Sequence, residues 1–432
     1  MFRLHREKVI RILKSHKIHK SFVVFSPHVP REYYVEDEKE FFQEPLFYYL
    51  SGWKYPNSCI YIDMENNKSI LFTQDFDDEY ILWSGPRIEE KVIKDLTGVD
   101  EVFEFHEFNK VMEQKSHEFM CLDPNEGDNS NQEAQILLTA AAISRRIKFN
   151  HEIESCRKAS IITSNAIIEV MKACKPGINE RVLEAVFRYQ STIMGGHEMS
   201  FPPIIASGEH SYYLHYTQNN GIVPDNSLVL IDVGVKYDSY CGDVSRTIPS
   251  NGKFSNNQKL VYNAVLGAQL RILNRIKAGI TLFDADSIMQ AELSKALIEI
   301  GICPKGMSID EDLVSIFCPH SVSHHIGLNN HDLFFINKNP FGEKVILSYR
   351  LAPGMIISVE PGLYFQPEII KRKMHDYPEI NWNTAFEYAI QVGGIRIEDD
   401  ILITDNGIEV LSNCPKTVDD IEKIMNKETH QG

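Results

Sequence analysis

Two stretches decide how this chain is read: Asn226–Gly234, NSLVLIDVG, and Gly354–Gly362, GMIISVEPG. Each is an apolar run closing on an acid two residues ahead of a glycine, Asp232 in the first and Glu360 in the second. Such runs read as strands covered on both faces. A carboxylate at the end of one cannot stay charged alone, because desolvation without a partner is too costly.

Outward from these stretches the similarity continues. Upstream of the first lie a helical pattern, Lys175-Pro176-Gly177-Ile178, and a second helix ending at Gly195-Gly196. Upstream of the second lie a helical pattern, Lys277-Ala278-Gly279-Ile280, and a helix ending at Gly301. Downstream, GDVSRTI around Asp243 parallels RIEDDILIT around Glu398. The reading is an α+β domain built from two copies of one half, with insertions in the second. Facing halves would bring Asp232, Asp243, Glu360 and Glu398 together near a pseudo-twofold axis.

A single acid at a strand end is more often capped or salt-bridged than functional, and an isolated histidine is more often structural. Repetition changes that balance. Four converging carboxylates repel one another unless cations lie between them. His320, His324, His325 and His331 cluster in FCPHSVSHHIGLNNHD, and His215 lies in the loop-like GEHSYYLHY. Oxygen-rich ligation with one imidazole suits Mn²⁺, with Co²⁺ or Zn²⁺ as alternatives. Four carboxylates and a histidine exceed what one catalytic ion with an open position takes. They fit two divalent ions about 3.5–4 Å apart.

The totals exclude other classes. A net charge of −16 over 432 residues argues against nucleic acid, whose phosphates call for a basic surface. The eight cysteines are scattered without a C-x-x-C pair, as expected in a reducing compartment. No run approaches the roughly 18 apolar residues of a membrane helix. The basic N-terminus lacks the apolar core of a signal peptide and reads as an amphipathic helix with Val9, Ile10 and Leu13 on one face, so a cytoplasmic location is expected. Ahead of the repeat, SFVVF from Ser21 reads as a strand, and CIYID and SILFTQ flank a hairpin turn at Asn66-Asn67. Residues 122–134 read as loop, and long helical periodicity begins near Arg145. Two domains are expected, a smaller α/β domain over 1–148 and a catalytic domain over 149–432.

LVLIDVG…YCGDVSRT, HSVSHHIG, ISVEPG and GIRIEDD occur in the order found in the pita-bread metallopeptidases, and Asp232 and Asp243 keep that family's spacing. The chain resembles the prolidase and aminopeptidase P branch, whose N-terminal domain QEPLFYYLSGWKYPNSCIYID from Gln43 is similar to. The tract departs from the family at Ser321-Val322, where Gly-Leu is usual, and at His325, where an aromatic is common. The resemblance implies that Asp232 binds one ion, Asp243 and Glu398 bridge, and His324 and Glu360 bind the other. His324 is preferred to His325 because it stands four residues after His320 and three before Gly327.

The same resemblance implies hydrolysis of an Xaa-Pro bond at a peptide N-terminus. A hydroxide made available by the two ions attacks the carbonyl ahead of proline. Glu360 shuttles the proton, His215 and His331 hold the scissile group and its oxyanion, and His320 lines the proline pocket. Arg396 holds Glu398 or the substrate end, with Tyr240 as a further supporting residue. A homodimer is implied, with the N-terminal domain helping to close the site. Substrate length pulls two ways. The long segment between Glu360 and Gly393-Gly394 favours a dipeptidase, a prolidase. Its carboxylate-binding arginine is then expected at Arg350 or Arg396, because the family's own position falls at Ile346, near Lys344. The alternative is an aminopeptidase acting on longer peptides, and a remote one is an inactive binding module of the same fold.

Overall fold

The computed structural model describes residues 1–31, 38–115, 118–125, 131–333, 341 and 349–426. The chain forms two compact units, the first taking in Met1–Arg146 and the second beginning at Ile147. In the first, the helix Phe2–Ser15 buries Phe2, Val9, Ile10 and Leu13 on one face, as its 3–4 residue spacing requires. A five-stranded sheet runs in the order Glu101–Glu104, Lys68–Thr73, Cys59–Asp63, Ser21–Phe25, Phe119–Leu122. Cys59–Asp63 pairs antiparallel with both neighbours, and the two edge strands pair parallel. The hairpin turn at Asn66-Asn67 is present: Asn67 has φ 53, and Asp63 accepts from the Asn66 backbone. The loop expected over 122–134 is shorter among the described residues. A helix starts at Gln132, capped by Asn131, whose side chain accepts from the Ala134 amide. Polar residues that read as loop are here an N-cap.

The second unit carries the repeat. Helices Asn150–Ala173 and Glu180–Ile193 in the first half correspond to Asn256–Leu273 and Leu282–Glu299 in the second. Side-chain caps at Asn179, Ser255 and Thr281 start three of them where the KPGI-type turns end or a loop meets the helix. Each half also gives a three-stranded antiparallel sheet. One holds Val244–Pro249, Leu228–Val233 and Ile204–Ser207, the other Ile356–Val359, Asp399–Thr404 and Gly407–Val410. The Glu398 amide donates to the Ser245 carbonyl at 3.1 Å, joining the halves at their inner strands. The apolar faces of strands and helices merge into one core containing Val229, Ile231, Ile357, Val359 and Ile401. This is the α+β pita-bread fold. Among the described residues, no helix is long and apolar enough to cross a membrane.

The register corrects one pairing within the repeat. Asp232 lies opposite Ser245. In the second half, Val359 pairs with Asp399 and Gly362 with Arg396, so the same ladder sets Glu360 across from Glu398. The counterpart of Glu398 is therefore Ser245, not Asp243. Matching acid to acid slipped the alignment by two residues. An even slip leaves every side chain on its original face, so all four acids still point the same way. The length added between Glu360 and Glu398 includes two helices, Pro367–Lys373 and Trp382–Gln391.

Candidate metal centre

Asp232, near the end of the Leu228–Val233 strand, and Asp243, just ahead of Val244–Pro249, come from one half. Glu360 and Glu398 flank the antiparallel pair Gly362–Tyr364 and Gly394–Arg396 of the other. All four line one open cavity of about 630 Å³ within the second unit, together with His215, His320, His324, His331 and Arg396. The imidazole Nε2 of His324 lies 3.3 Å from Asp243 Oδ2 and 3.4 Å from Glu360 Oε1. The His324 amide donates to Ser358 Oγ, which itself donates to Glu360 Oε1, so one serine sets both residues. The ring of His331 sits against that of His324, with centroids 4.2 Å apart.

Arg350 lies elsewhere. It is exposed, does not line the cavity, and donates to the Gly279 carbonyl at 2.5 Å, so it is corrected as a substrate contact. Arg350 is held at the inter-helix turn of the second half, a placement that chain proximity to the Glu360 strand did not reveal. Ile346 and Lys344 fall outside the described residues. Tyr240 does not line the cavity, and its hydroxyl donates to Glu152 Oε1.

The acids and the histidine of this site perturb one another strongly. Burial, then the neighbouring acids, pushes the Asp243 carboxyl up to about 6 despite the hydrogen bond to His324. Burial likewise raises Glu360, and raises Glu398 well above the usual carboxylate range, with Asp243, Glu360 and Asp232 adding to the effect. Burial opposes charge on His324, yet Asp243 and Glu360 outweigh it and lift the imidazole to about 9. Asp232 Oδ1, Asp243 Oδ1 and Glu398 Oε1 are buried without any hydrogen-bond partner. Buried polar atoms are nearly always satisfied. Three orphaned carboxylate oxygens on residues lining one cavity are what a hard divalent ion would fill. Asp243, His324 and Glu398 each offer a ligand atom within 4.8 Å of the others.

Several supporting residues escaped the sequence reading. Ser245 donates to Glu398 Oε2 at 2.6 Å and accepts from Arg396 Nε at 3.0 Å. The Arg396 guanidinium also donates to the Tyr364 hydroxyl at 2.8 Å and to Asp232. Asn330 Nδ2 donates to Asp243 Oδ2 at 2.9 Å, and Asp400 accepts the Asp243 backbone amide at 3.0 Å. Ser245 could have been found, since two residues after Asp243 on a strand is the same face. Nothing local marks Asn330 or Tyr364.

Residues 154–405 match the model of metallopeptidase family M24, and residues 2–119 match that of the aminopeptidase P N-terminal domain. The chain belongs to metallopeptidase family M24. It is a metal-dependent peptidase, and among its relatives is a Talaromyces marneffei protein named as a probable Xaa-Pro aminopeptidase. That protein is 32% identical over 90% of this M24 chain and 89% of its own length. A peptidase of Saccharomyces cerevisiae, itself uncharacterized, is 31% identical over 96% of this chain and 81% of its own. Among solved structures, aminopeptidase P of Escherichia coli with the inhibitor Pro-Leu is 27% identical, with a TM-score of 0.79 over 97% of this chain and 98% of that one.

Proposed function

We propose that this M24 peptidase is an Xaa-Pro aminopeptidase, releasing the N-terminal residue ahead of proline from peptides longer than two residues. This replaces the dipeptidase expectation. The observation that carries it is that, among the described residues, no free clamp for a dipeptide's C-terminal carboxylate lines the cavity. Among the described residues lining the cavity, Arg396 is the one lysine or arginine, and its guanidinium is committed to Asp232, Tyr364 and Ser245. A carboxylate is best held by the free fork of an arginine. The relatives support the same reading by name. The Pro-Leu inhibitor of the Escherichia coli enzyme places a residue after proline, as a longer peptide does.

Asp232, Asp243, His324, Glu360 and Glu398 would hold two divalent ions, Mn²⁺ in the first instance. When bound, these supply Lewis acidity and a hydroxide nucleophile near neutral pH. The chain does the remainder. His320, anchored by the Tyr364 hydroxyl at 2.9 Å and the Ser321 carbonyl at 2.9 Å, forms a fixed wall for the proline ring. His215 and His331 face the cavity and donate to the developing oxyanion. Glu360 carries the proton to the leaving nitrogen. Phe201, Pro202, Ile204 and Leu214 supply an apolar wall that limits water around the scissile bond. The reading extends to a cytoplasmic homodimer, which sedimentation would check.

The test compares kcat/KM for Ala-Pro and Ala-Pro-Ala after exhaustive chelation and after Mn²⁺ is restored. Cleavage of the tripeptide only after Mn²⁺ is returned is expected. Preference for the dipeptide would restore the prolidase reading, and full activity without metal would remove the metal assignment.

A further inference from the structure

His215 is exposed on the segment between Gly208 and Gly221, which leaves its position in the cavity to be explained by what anchors that segment. The anchor is one carboxylate. Glu180, the first residue of the Glu180–Ile193 helix, has a fully buried side chain that takes hydrogen bonds from both ends and the middle of the segment. Its Oε1 accepts from the Ser207 amide at 2.8 Å, the Ser207 hydroxyl at 2.6 Å and His210 Nδ1 at 2.9 Å. Its Oε2 accepts from the Tyr216 hydroxyl at 2.9 Å and the Gly221 amide at 2.7 Å. Tyr216 is the residue after His215, and its ring stacks on His210 with centroids 4.3 Å apart.

The packing leaves no slack around this carboxylate. A Cβ at Gly221 would lie 2.9 Å from Glu180 Oε2 and 2.5 Å from the His210 ring. Asn219, at φ 46, adds a second tie: its side chain accepts from the Ile205 amide and donates to Glu184 and the Pro203 carbonyl. The far side of the segment is held by Ser211, whose hydroxyl accepts from the Gly394 amide at 2.7 Å, two residues ahead of Arg396. Burial opposes ionisation of Glu180, yet the bonds from Ser207 and His210 hold its carboxyl below the usual range. A charged acceptor serving five donors is the arrangement that fixes a loop most firmly.

We propose that Glu180 is a positioning residue of the peptidase, setting the 208–221 segment so that His215 meets the scissile group. The inference rests on the reading that His215 acts on substrate. Glu180 does not touch the acids of the metal centre. Its loss acts through geometry, where a displacement of about 1 Å can lower rate by roughly a hundredfold.

The test is a double-mutant cycle on the full-length, metal-loaded protein, reading kcat, KM and metal content by elemental analysis. Glu180→Gln keeps the shape but turns an amide group toward hydrogen-bond donors. The expected result is a fall in kcat of about ten- to a hundredfold, with KM and metal content little changed. In a His215→Ala background the same substitution should cost nothing further, because the two act through one contact. Tyr216→Phe removes a single bond of the clamp and should show the same pattern at smaller size, which decides the matter if Glu180→Gln does not fold. Wild-type kcat in a folded Glu180→Gln protein overturns the proposal. So does an undiminished effect in the His215→Ala background, which would mark Glu180 as a general structural residue. A His215→Ala protein with wild-type kcat removes the underlying reading of His215 and the proposal with it.

Discussion

Asp232 receives the Arg396 guanidinium on Oδ2, while its Oδ1 is buried with no hydrogen-bond partner. One oxygen is thus oriented by a fixed cation and the other is left for a ligand. Partners that orient a metal-binding side chain typically account for about 10–100-fold in metal affinity. Arg396→Ala should weaken metal binding by that order, as read by metal titration under a competing chelator. Arg396→Lys should recover little of it, since one ammonium cannot serve Ser245, Tyr364 and Asp232 at once. Unchanged affinity in both variants would show that Asp232 needs no orientation.

The two adjacent histidines, His324 and His331, separate by role. His331→Ala should keep its metal content and lose roughly 10²–10³ in kcat, as removal of an oxyanion donor does. His324→Ala should lose metal, because its Nε2 is the nitrogen facing Asp243 and Glu360. Elemental analysis of both proteins distinguishes them. Loss of metal from the His331 variant would exchange the assignments.

Arg350→Ala should leave kcat/KM unchanged on both Ala-Pro and Ala-Pro-Ala. Its guanidinium is exposed on the Gly279 carbonyl, away from the cavity lining. A selective loss of dipeptide cleavage would bring Arg350 back as a carboxylate clamp.

Behind the metal centre, Arg246 donates to the carbonyls of Ser245 and Glu398 and pairs with Asp399, both side chains being fully buried. Lys416 and Gln269 take the other Asp399 oxygen. Burial alone would raise the Asp399 carboxyl, but Arg246 and Lys416 hold it well below the ordinary range. A depressed folded pKa contributes stability that is present above the unfolded value, about 3.9, and lost as pH falls through the folded value. Asp399→Asn should therefore be less stable than wild type at neutral pH, with the gap narrowing only in acid below about pH 4. Arg246→Met, which removes one of the two cations on this buried carboxylate, should cost about 3 kcal/mol in denaturant unfolding. A gap that closes near pH 6 would mean a different group is titrating.

Much of the site was legible because its signals are local. An acid that ends an apolar strand must find a partner, and LVLID and MIISVE each display one within a few residues. The helix–turn–helix echo gave the two halves, and the resemblance to the family motif singled out His324 within the histidine cluster. The insertion also showed as length, although its two helices did not. What failed was pairing. Aligning acid with acid put Asp243 against Glu398, while the ladders equate Ser245 with Glu398. Period-two geometry conceals that slip, since both versions present the same face.

By itself, the sequence determined the residue types of the metal centre, the strands that carry them, and the pseudo-twofold arrangement of the catalytic half. The first two follow from burial and periodicity over a dozen residues, and the third from the internal repeat along the chain. The tertiary structure alone decided who supports whom: Arg396 on Asp232 across 164 residues, Asn330 on Asp243 across 87, and Glu180 beneath the His215 segment. It also carried Arg350 away from the cavity. Hydroxyls, amides and guanidinium groups take whichever partner the packed core brings within about 3 Å, and no local pattern encodes that meeting.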